Sequence, residues 1–547
     1  MKNISDKIDP SLVVLSGDIT DSSAGSSFFQ IYSSNYQNWV LYNNSRYESG
    51  LVKEGRVLLE YPGNHDYFKV AGDDTPLNYY KKFAFHNELS ETGTIFSINT
   101  SIGPINFISF AVLHPPLPTT PFGSLPQVHP DDVDLLRRSI YDNGTNIIVS
   151  HFPVSTIWER SAPNGESLRS VITRSHLYIA GHTHPRSIDV QHVNDTLSVI
   201  CPISRRYTHA GFITIEKNAI AYSEITPADE NIIAVTYPTP LNQVHKHQVF
   251  NVNSFPVRVL GFSSSVLTLD LYIDNVLIGN IPMTRQINNR TRLYSLNVTV
   301  ENGRHNLRIE GDSTKEFEFF VGETSPVITE KISLNFGIVI FPFSMIFLAI
   351  AFVRIIPYWI PLKSKLDNFS DFMFYSEGEY TIFQQFYLGL LHFWTRPRKL
   401  PLHLYLLFIF LFCWIYIIPY IETQVEHLVA VIWIWGYKAG DCLSFDTMTF
   451  AVLMFYYLMF FIQFLNIAGI WFESQKLCIS QIIEFVISWI CVFIVTVAWF
   501  VIGYFHGGAF SIFTSVFTYF LIITYVWVIV TLVRSRNIKI GGKEEMP

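Results

Sequence analysis

Short apolar runs, each closed by a small residue and then by polar side chains, organise the first part of the chain. Leu12-Val13-Val14-Leu15 leads into Gly17-Asp18-Ile19-Thr20-Asp21. Arg56-Val57-Leu58-Leu59-Glu60-Tyr61 leads into Gly63-Asn64-His65-Asp66. Asn146-Ile147-Ile148-Val149 leads into Ser150-His151-Phe152-Pro153, and Leu177-Tyr178-Ile179-Ala180 into Gly181-His182-Thr183-His184. Apolar runs this short, bounded by turn signals, read as buried strands. Ile105-Asn106-Phe107-Ile108-Ser109-Phe110, Leu197-Ser198-Val199-Ile200 and Gly211-Phe212-Ile213-Thr214-Ile215 are further strands. They alternate with helix-like and loop stretches to about residue 230, which predicts an α/β domain over 1–230. Pro115-Pro116-Leu117-Pro118-Thr119-Thr120-Pro121 is a loop, expected at the rim of any site there.

From 231 to 330 the pattern changes to period two. Gln248-Val249-Phe250-Asn251-Val252, Val257-Arg258-Val259-Leu260, Leu267-Thr268-Leu269-Asp270-Leu271-Tyr272-Ile273, Tyr294-Ser295-Leu296-Asn297-Val298-Thr299-Val300 and Phe317-Glu318-Phe319-Phe320-Val321 alternate as strands. Asp274-Asn275 and Glu301-Asn302-Gly303 supply turns between them. The expectation is an all-β sandwich of immunoglobulin-like kind, serving as a spacer or binding module.

Beyond 331 the apolar runs lengthen to about 20 residues, enough to cross a bilayer as helices. Five spans are expected, at about 334–353, 401–421, 448–469, 483–505 and 512–532, making 331–547 an all-α multipass membrane domain. The run 428–435 is too short to cross and reads as interfacial. Basic residues fix the orientation. Arg354, Lys363, Lys365, Arg396, Arg398 and Lys399 follow the first span, Lys476 the third, and Arg534, Arg536, Lys539 and Lys543 the fifth. The opposite loops carry only Lys438. Residues 1–333 are therefore expected to face the lumen or exterior, in the endomembrane system or plasma membrane, with a cytosolic C-terminus. Asn3, Asn43, Asn99, Asn143, Asn194, Asn289 and Asn297, all in that part, begin Asn-x-Ser/Thr sequons. They give modest support to the same orientation and to a glycoprotein.

Composition sharpens this picture at two points. The 547 residues are 16% aromatic and only 15% charged, with mean hydropathy +0.26, and the apolar excess sits in the second half. The net charge of -7 gives no reason to expect nucleic acid as a partner. Of the five cysteines, Cys201, Cys413, Cys442, Cys478 and Cys491, only the first precedes the membrane region. That leaves the N-terminal part without a disulfide framework or a zinc-thiolate site. No apolar signal segment stands at Met1.

The chemistry lies in the four polar endings. In open sheets, sites form beyond the carboxyl ends of strands. Delivered there in order, Asp, Asn, His and His-x-His form a ligand set for hard or borderline divalent metals. Each residue has a plainer use too. Asp18 suits a helix cap, Asn64 a turn, and His151 a packed core. His114, Arg205, Arg206 and His209 are candidates to reach a substrate, with a solvated surface as the plainer reading.

Gly-Asp-x-x-Asp, Gly-Asn-His-Asp, a lone His and Gly-His-x-His, in this order over roughly residues 5 to 225, resemble the calcineurin-like metallophosphoesterase superfamily. With the membrane region attached, the chain resembles the transmembrane protein 62 family. The resemblance implies a metallophosphoesterase sandwich of two β-sheets flanked by helices, holding two divalent metal ions (Mn, Fe or Zn). It implies that Asp18 bridges them, that Asn64, His151 and His182 complete one shell, and that His184 binds the other. His65 would protonate the leaving oxygen or stabilise the transition state, Asp21 would orient His65, and Asp66 would support the site structurally. The substrate would be a phosphomonoester or phosphodiester, lipid- or glycan-linked by analogy with other membrane phosphoesterases, and membrane lipid would be a partner. The superfamily's first block, Asp-x-His, finds no counterpart among the sixteen residues before Gly17. Asp6 and Asp9 fall in what reads as a helix before the Leu12 strand. The expectation is that the sequence starts inside the domain. The alternative reading is a catalytically inactive domain acting as a binding or scaffold module on a multipass membrane protein.

Overall fold

The computed structural model describes residues 6–20, 31–116 apart from 69, 126, 128–157, 160–202, 210–225 apart from 217 and 218, 230–245, 248 and 253–322. Beyond 340 it describes four strands between 421 and 445 and scattered positions.

Residues 6–8 are helical, as expected, and the first strand follows. β1 (Leu12–Ser16) and β2 (Val57–Tyr61) pair in parallel, Ser16 opposite Tyr61. A mixed six-stranded sheet contains β3 (Ile95–Thr100), β4 (Gly103–Ser109), β5 (Thr145–Val149), β6 (Leu177–Ala180), β7 (Asp189–Val193) and β8 (Thr196–Ile200) in the order β3-β4-β5-β6-β8-β7. The four inner strands are parallel, and β3 and β7 run antiparallel at the two edges. β9 (Ala210–Glu216) and β10 (Ala219–Ile225) form an antiparallel pair. One apolar core joins these sheets. It includes Leu59 and Tyr61 of β2, Ile147 and Val149 of β5, Leu177 and Ile179 of β6, Val199 of β8 and Tyr222 of β10. This is the α/β arrangement expected, with sheets sharing a core. Every strand expected before residue 230 is present. β3, β7 and β10 were not foreseen.

An ion pair anchors the helix α1 (Ile31–Glu48) to β2. Glu60, fully buried, receives the Arg46 Nη1–H at 2.9 Å, the Phe85 backbone N–H at 2.8 Å and the Tyr42 hydroxyl. The Arg46 guanidinium lies 3.9 Å from the Phe85 ring centroid. Trp39, also fully buried, stacks on Phe83. These contacts fix the strand four residues before Asn64.

The all-β part consists of two four-stranded antiparallel sheets. One holds β11 (Ile232–Tyr237), β12 (Ser254–Phe262), β15 (Met283–Gln286) and β16 (Thr291–Thr299). The other holds β13 (Asp270–Ile273), β14 (Val276–Asn280), β17 (Gly303–Glu310) and β18 (Lys315–Val321). Val257, Val259, Leu271, Leu307, Ile309 and Phe319 fill one core between them. Asp274 and Asn275 make the foreseen turn with φ of 52° and 66°. The run 248–252 forms no strand at its one described residue, Gln248. β14 and β15 escaped a pattern reading because their apolar side chains point outward.

The five expected spans lie outside the described residues except at scattered positions. Among the described residues no helix is long and apolar enough to cross a membrane. One expectation is corrected: 331–547 is not all-α. β19 (Ile421–Val425), β20 (Leu428–Trp433), β21 (Gly436–Ala439) and β22 (Cys442–Phe445) form an antiparallel meander, with two residues of sequence between successive strands. The run 428–435 therefore supplies a strand. Its Val, Ile and Trp content and the two-residue connections on either side favour hairpins over a helix.

Replacing Glu60 by alanine strands the buried Arg46 guanidinium. We expect Glu60→Ala to cost about 3–5 kcal/mol of domain stability. Arg138→Ala, which removes an exposed pair with Asp134, is expected to cost under about 1 kcal/mol. Urea unfolding of both variants checks this, and equal midpoints would contradict it.

Candidate metal centre

Four strand ends converge. β1 delivers Gly17-Asp18, β2 delivers Gly63-Asn64, β5 delivers Ser150-His151, and β6 delivers Gly181-His182-Thr183-His184. Two glycines make the approach possible. A Cβ on Gly17, whose φ is +95°, would lie 2.3 Å from His151 Nδ1. A Cβ on Gly63 would lie 2.1 Å from the Asp18 backbone nitrogen. Asp18, His182 and His184 all take positive φ, at 52°, 65° and 51°. Such strained backbone in non-glycine residues gathers at functional sites.

The hydrogen bonds define what the side chains present. His151 Nδ1 sits 2.8 Å from the Ser16 carbonyl oxygen. An N–H there donates to that carbonyl, so Nε2 carries a lone pair. Nε2 lies 2.9 Å from Asn64 Oδ1, 3.2 Å from His182 Nδ1 and 3.3 Å from Asp18 Oδ2. Asn64 Oδ1 is also 3.1 Å from His182 Nδ1. Ligand atoms of Asp18, His151 and His182 lie within 4.8 Å of one another. Carboxylate oxygen, amide oxygen and two imidazole nitrogens thus point at one small volume, a donor set that fits a hard or borderline divalent cation.

The charges agree with this. Burial would raise the Asp18 carboxyl, but the His151 imidazole and His65 beside it hold it far below the usual carboxylate range. Burial, with His151 alongside, pushes His182 down to about 3, leaving its nitrogen free of a proton at neutral pH. Burial opposes a charge on His151, yet Asp18 raises it above the ordinary histidine value. A proton or a metal ion answers the same carboxylate.

Asp66 holds the loops in place. Its buried carboxylate accepts the Gly63 N–H at 2.8 Å, the Ile19 N–H at 3.1 Å and the Thr20 N–H at 3.0 Å. It therefore ties the loop after β1 to the loop after β2. Burial and the nearby Asp18 push it up to about 6. Asn64, His65 and Asp66 share the single turn α2 (Asn64–Tyr67). Asn64 and Asp66 are buried in it, and His65 is half-exposed. The His65 backbone N–H donates to Asp18 Oδ1 at 3.0 Å, and its ring packs on Phe68 at 4.8 Å.

The structure thus brings Asp18, Asn64, His65, Asp66, His151 and His182 together. His184 stands further out. Exposed, it has its Nε2 4.0 Å from Asp18 Oδ2. His114 pairs instead with Asp132 at 3.0 Å. Asp21, Arg205, Arg206 and His209 lie outside the described residues. Two contributors escaped the sequence reading. The Ser16 carbonyl that sets the His151 tautomer is a backbone atom and leaves no mark in side-chain identity. Phe152, packed 4.6 Å from the His182 ring, reads as an ordinary core residue.

Asp66→Asn exchanges an acceptor of three backbone N–H groups for an amide that cannot accept them all. Outer partners of metal ligands are typically worth 10–100-fold in affinity. We expect a loss of about that size in divalent-metal affinity, with far-UV circular dichroism unchanged. Isothermal titration with Mn or Zn reads it, and unaltered affinity would remove the bracing role.

Comparison with known proteins agrees with this geometry. The calcineurin-like phosphoesterase family model matches residues 1–186, a stretch that ends just beyond His184. Transmembrane protein 62 of Mus musculus is 27% identical over 300 residues, covering 50% of this chain and 43% of that protein. The chain therefore spans less than half the length of this curated relative. No solved structure matches the chain. Four strand ends carrying Asp, Asn, His and His-x-His to one point, inside the matched stretch, give residues 1–186 their family: they are a calcineurin-like phosphoesterase domain.

Proposed function

We propose that the chain is a membrane-anchored, metal-dependent phosphoesterase that hydrolyses a phosphomonoester or phosphodiester on the lumenal or exterior side. The observation that carries this is the convergence of Asn64 Oδ1, His151 Nε2, His182 Nδ1 and Asp18 Oδ2. Calcineurin-like phosphoesterases generally hydrolyse phosphoesters with divalent metals. Here Asn64, His151 and His182 would hold one cation and His184 a second, with Asp18 between them. Bound there, the cations supply charge neutralisation at the phosphate and activation of water near neutral pH.

The protein's own groups do the rest. The Asp18 loop and α2 are locked together through Asp66, which keeps the ligands in register. His65 rides on that turn, its backbone bound to Asp18, and its half-exposed imidazole is the group that meets a leaving oxygen in this reading. The imidazole gives a proton to that oxygen as the ester bond breaks. Asp21, three residues beyond Asp18, is the residue assigned to orient it.

Membrane anchoring draws on the long apolar runs, on the likeness to a mouse transmembrane protein and on helical positions within those runs. Leu402, Leu406 and Phe410 are exposed apolar residues four apart. Val486, Ile490, Phe493 and Val497 recur at intervals of three or four, as do Ile522, Val526 and Ile529. Apolar stripes of this kind suit lipid rather than water. The domain limits 1–230, 231–330 and 331–547 belong to this reading, as does a lipid- or glycan-linked substrate. We expect the chain to stay in the pellet after alkaline carbonate washing of membranes; release into the supernatant would remove the anchor.

Chemistry has its own test. General acid catalysis is worth about 10²–10⁴-fold, and matters most when the leaving group is basic. His65→Ala should retain its metal content, lose about that factor on an alkyl phosphodiester, and lose less on a bis-nitrophenyl phosphate. Equal rates of variant and parent on both substrates would exclude His65 as the acid.

A further inference from the structure

The sequons, taken one by one in the fold, separate by position. Asn99 is exposed at the end of β3, where it pairs with Pro104 at the start of β4. Asn143 is exposed two residues before β5 begins. Asn194 is exposed in the tight turn joining β7 to β8, with φ of 50°. Because β4, β5, β6 and β8 are parallel, these three positions share the edge where the inner strands start. The metal ligands His151 and His182 leave from the edge where β5 and β6 end. His151 is eight residues beyond Asn143, about 25 Å at the rise of an extended strand. Asn43 differs. It is half-buried in α1, with its Oδ1 accepting from Arg46 Nη2 at 2.6 Å, beside the buried pair with Glu60. Asn289 and Asn297 are exposed on the β-sandwich and belong to that surface.

We propose that Asn99, Asn143 and Asn194 carry N-linked glycans. They form a sugar-coated edge of the phosphoesterase domain directly opposite its metal-binding edge. This rests on the lumenal or exterior orientation argued above. The glycosidic bond joins the Asn Nδ2 to the reducing end of a lipid-linked oligosaccharide, with loss of the polyprenyl diphosphate as leaving group. A bulky, hydrated glycan is tolerated only where the amide faces solvent, which all three positions satisfy. The coat keeps that edge from packing against membrane or protein, while the ligand edge stays bare for substrate. An eighth sequon, Asn368-Phe369-Ser370, lies in the loop assigned to the cytosol and should remain unmodified.

The test uses the full chain in sealed vesicles from its native membranes. Peptide N-glycosidase treatment in heavy-oxygen water converts each glycosylated Asn to a labelled Asp, which mass spectrometry locates. Parallel protease treatment of intact and detergent-opened vesicles reports orientation independently. The expected result is label at 99, 143 and 194, none at 368, and an N-terminal domain protected until detergent is added. Three successive mobility shifts in the single, double and triple Asn→Gln variants, with phosphoesterase activity unchanged, would agree. Protection without label at the three positions overturns the sites and leaves the orientation standing. Digestion in intact vesicles, or label at Asn368, overturns the orientation and the sites with it.

Discussion

Lone pairs aimed at one point repel one another, and the N-terminal domain is built to hold them there. Asn64 Oδ1, His151 Nε2, His182 Nδ1 and Asp18 Oδ2 crowd within about hydrogen-bond distance. Without a cation this arrangement is unfavourable, so it persists only if the scaffold over-determines it. Three devices do so. Asp66 clamps two loops through three backbone N–H groups. The Ser16 carbonyl pins the far side of the His151 ring. Gly17 and Gly63 let backbone come where a Cβ would collide. The positive φ of Asp18, His182 and His184 adds strain of about 1–3 kcal/mol at each residue. The neighbouring β-sheet core carries that cost.

Charge follows from the same crowding. A carboxylate beside two imidazoles stays ionised, and of the two imidazoles His151, in contact with Asp18, is raised while His182 is lowered. Asp18 is held low by His151 and His65 against the pull of burial, and His182 is held low by burial itself. The pair therefore presents one negative charge and one free nitrogen at neutral pH. Asp66 is pushed in the opposite direction, to about 6, first by its own burial and then by the charge of Asp18. Positive charge placed at the ligand cluster would relieve that repulsion.

Much of this was legible in the sequence because the residues that carry it are consecutive. Gly17-Asp18, Gly63-Asn64-His65-Asp66, Ser150-His151 and Gly181-His182-x-His184 each follow a run that folds as the strand read from it. Leu177–Ala180 matches residue for residue. What escaped had no local signature. β14 and β15 expose their apolar side chains, so period-two alternation fails there. β19 to β22 lie between apolar runs of membrane-spanning length, and each pairs with the next strand in the chain, a cue that the length of the neighbouring apolar runs obscured. The Arg46–Glu60 pair joins a helix to a strand across fourteen residues, and nothing in either segment alone demands it.

Polar and apolar contacts fasten the sandwich to the β9–β10 pair. Arg258 of β12 donates both Nε–H, at 3.1 Å, and Nη2–H to Glu216 of β9, and its guanidinium lies 4.9 Å from the Tyr237 ring. The Thr236 hydroxyl donates to the same carboxylate at 2.6 Å. Beside them Ile225 and Phe212 of the β9–β10 pair pack with Ile8, Ile232, Ala234, Leu260 and Phe262. A planar guanidinium bound through two of its N–H groups fixes angle as well as distance, and an apolar cluster at the same joint resists shear. The joint therefore ties the β9–β10 pair, which shares the core behind the metal-binding edge, to the first sheet of the sandwich.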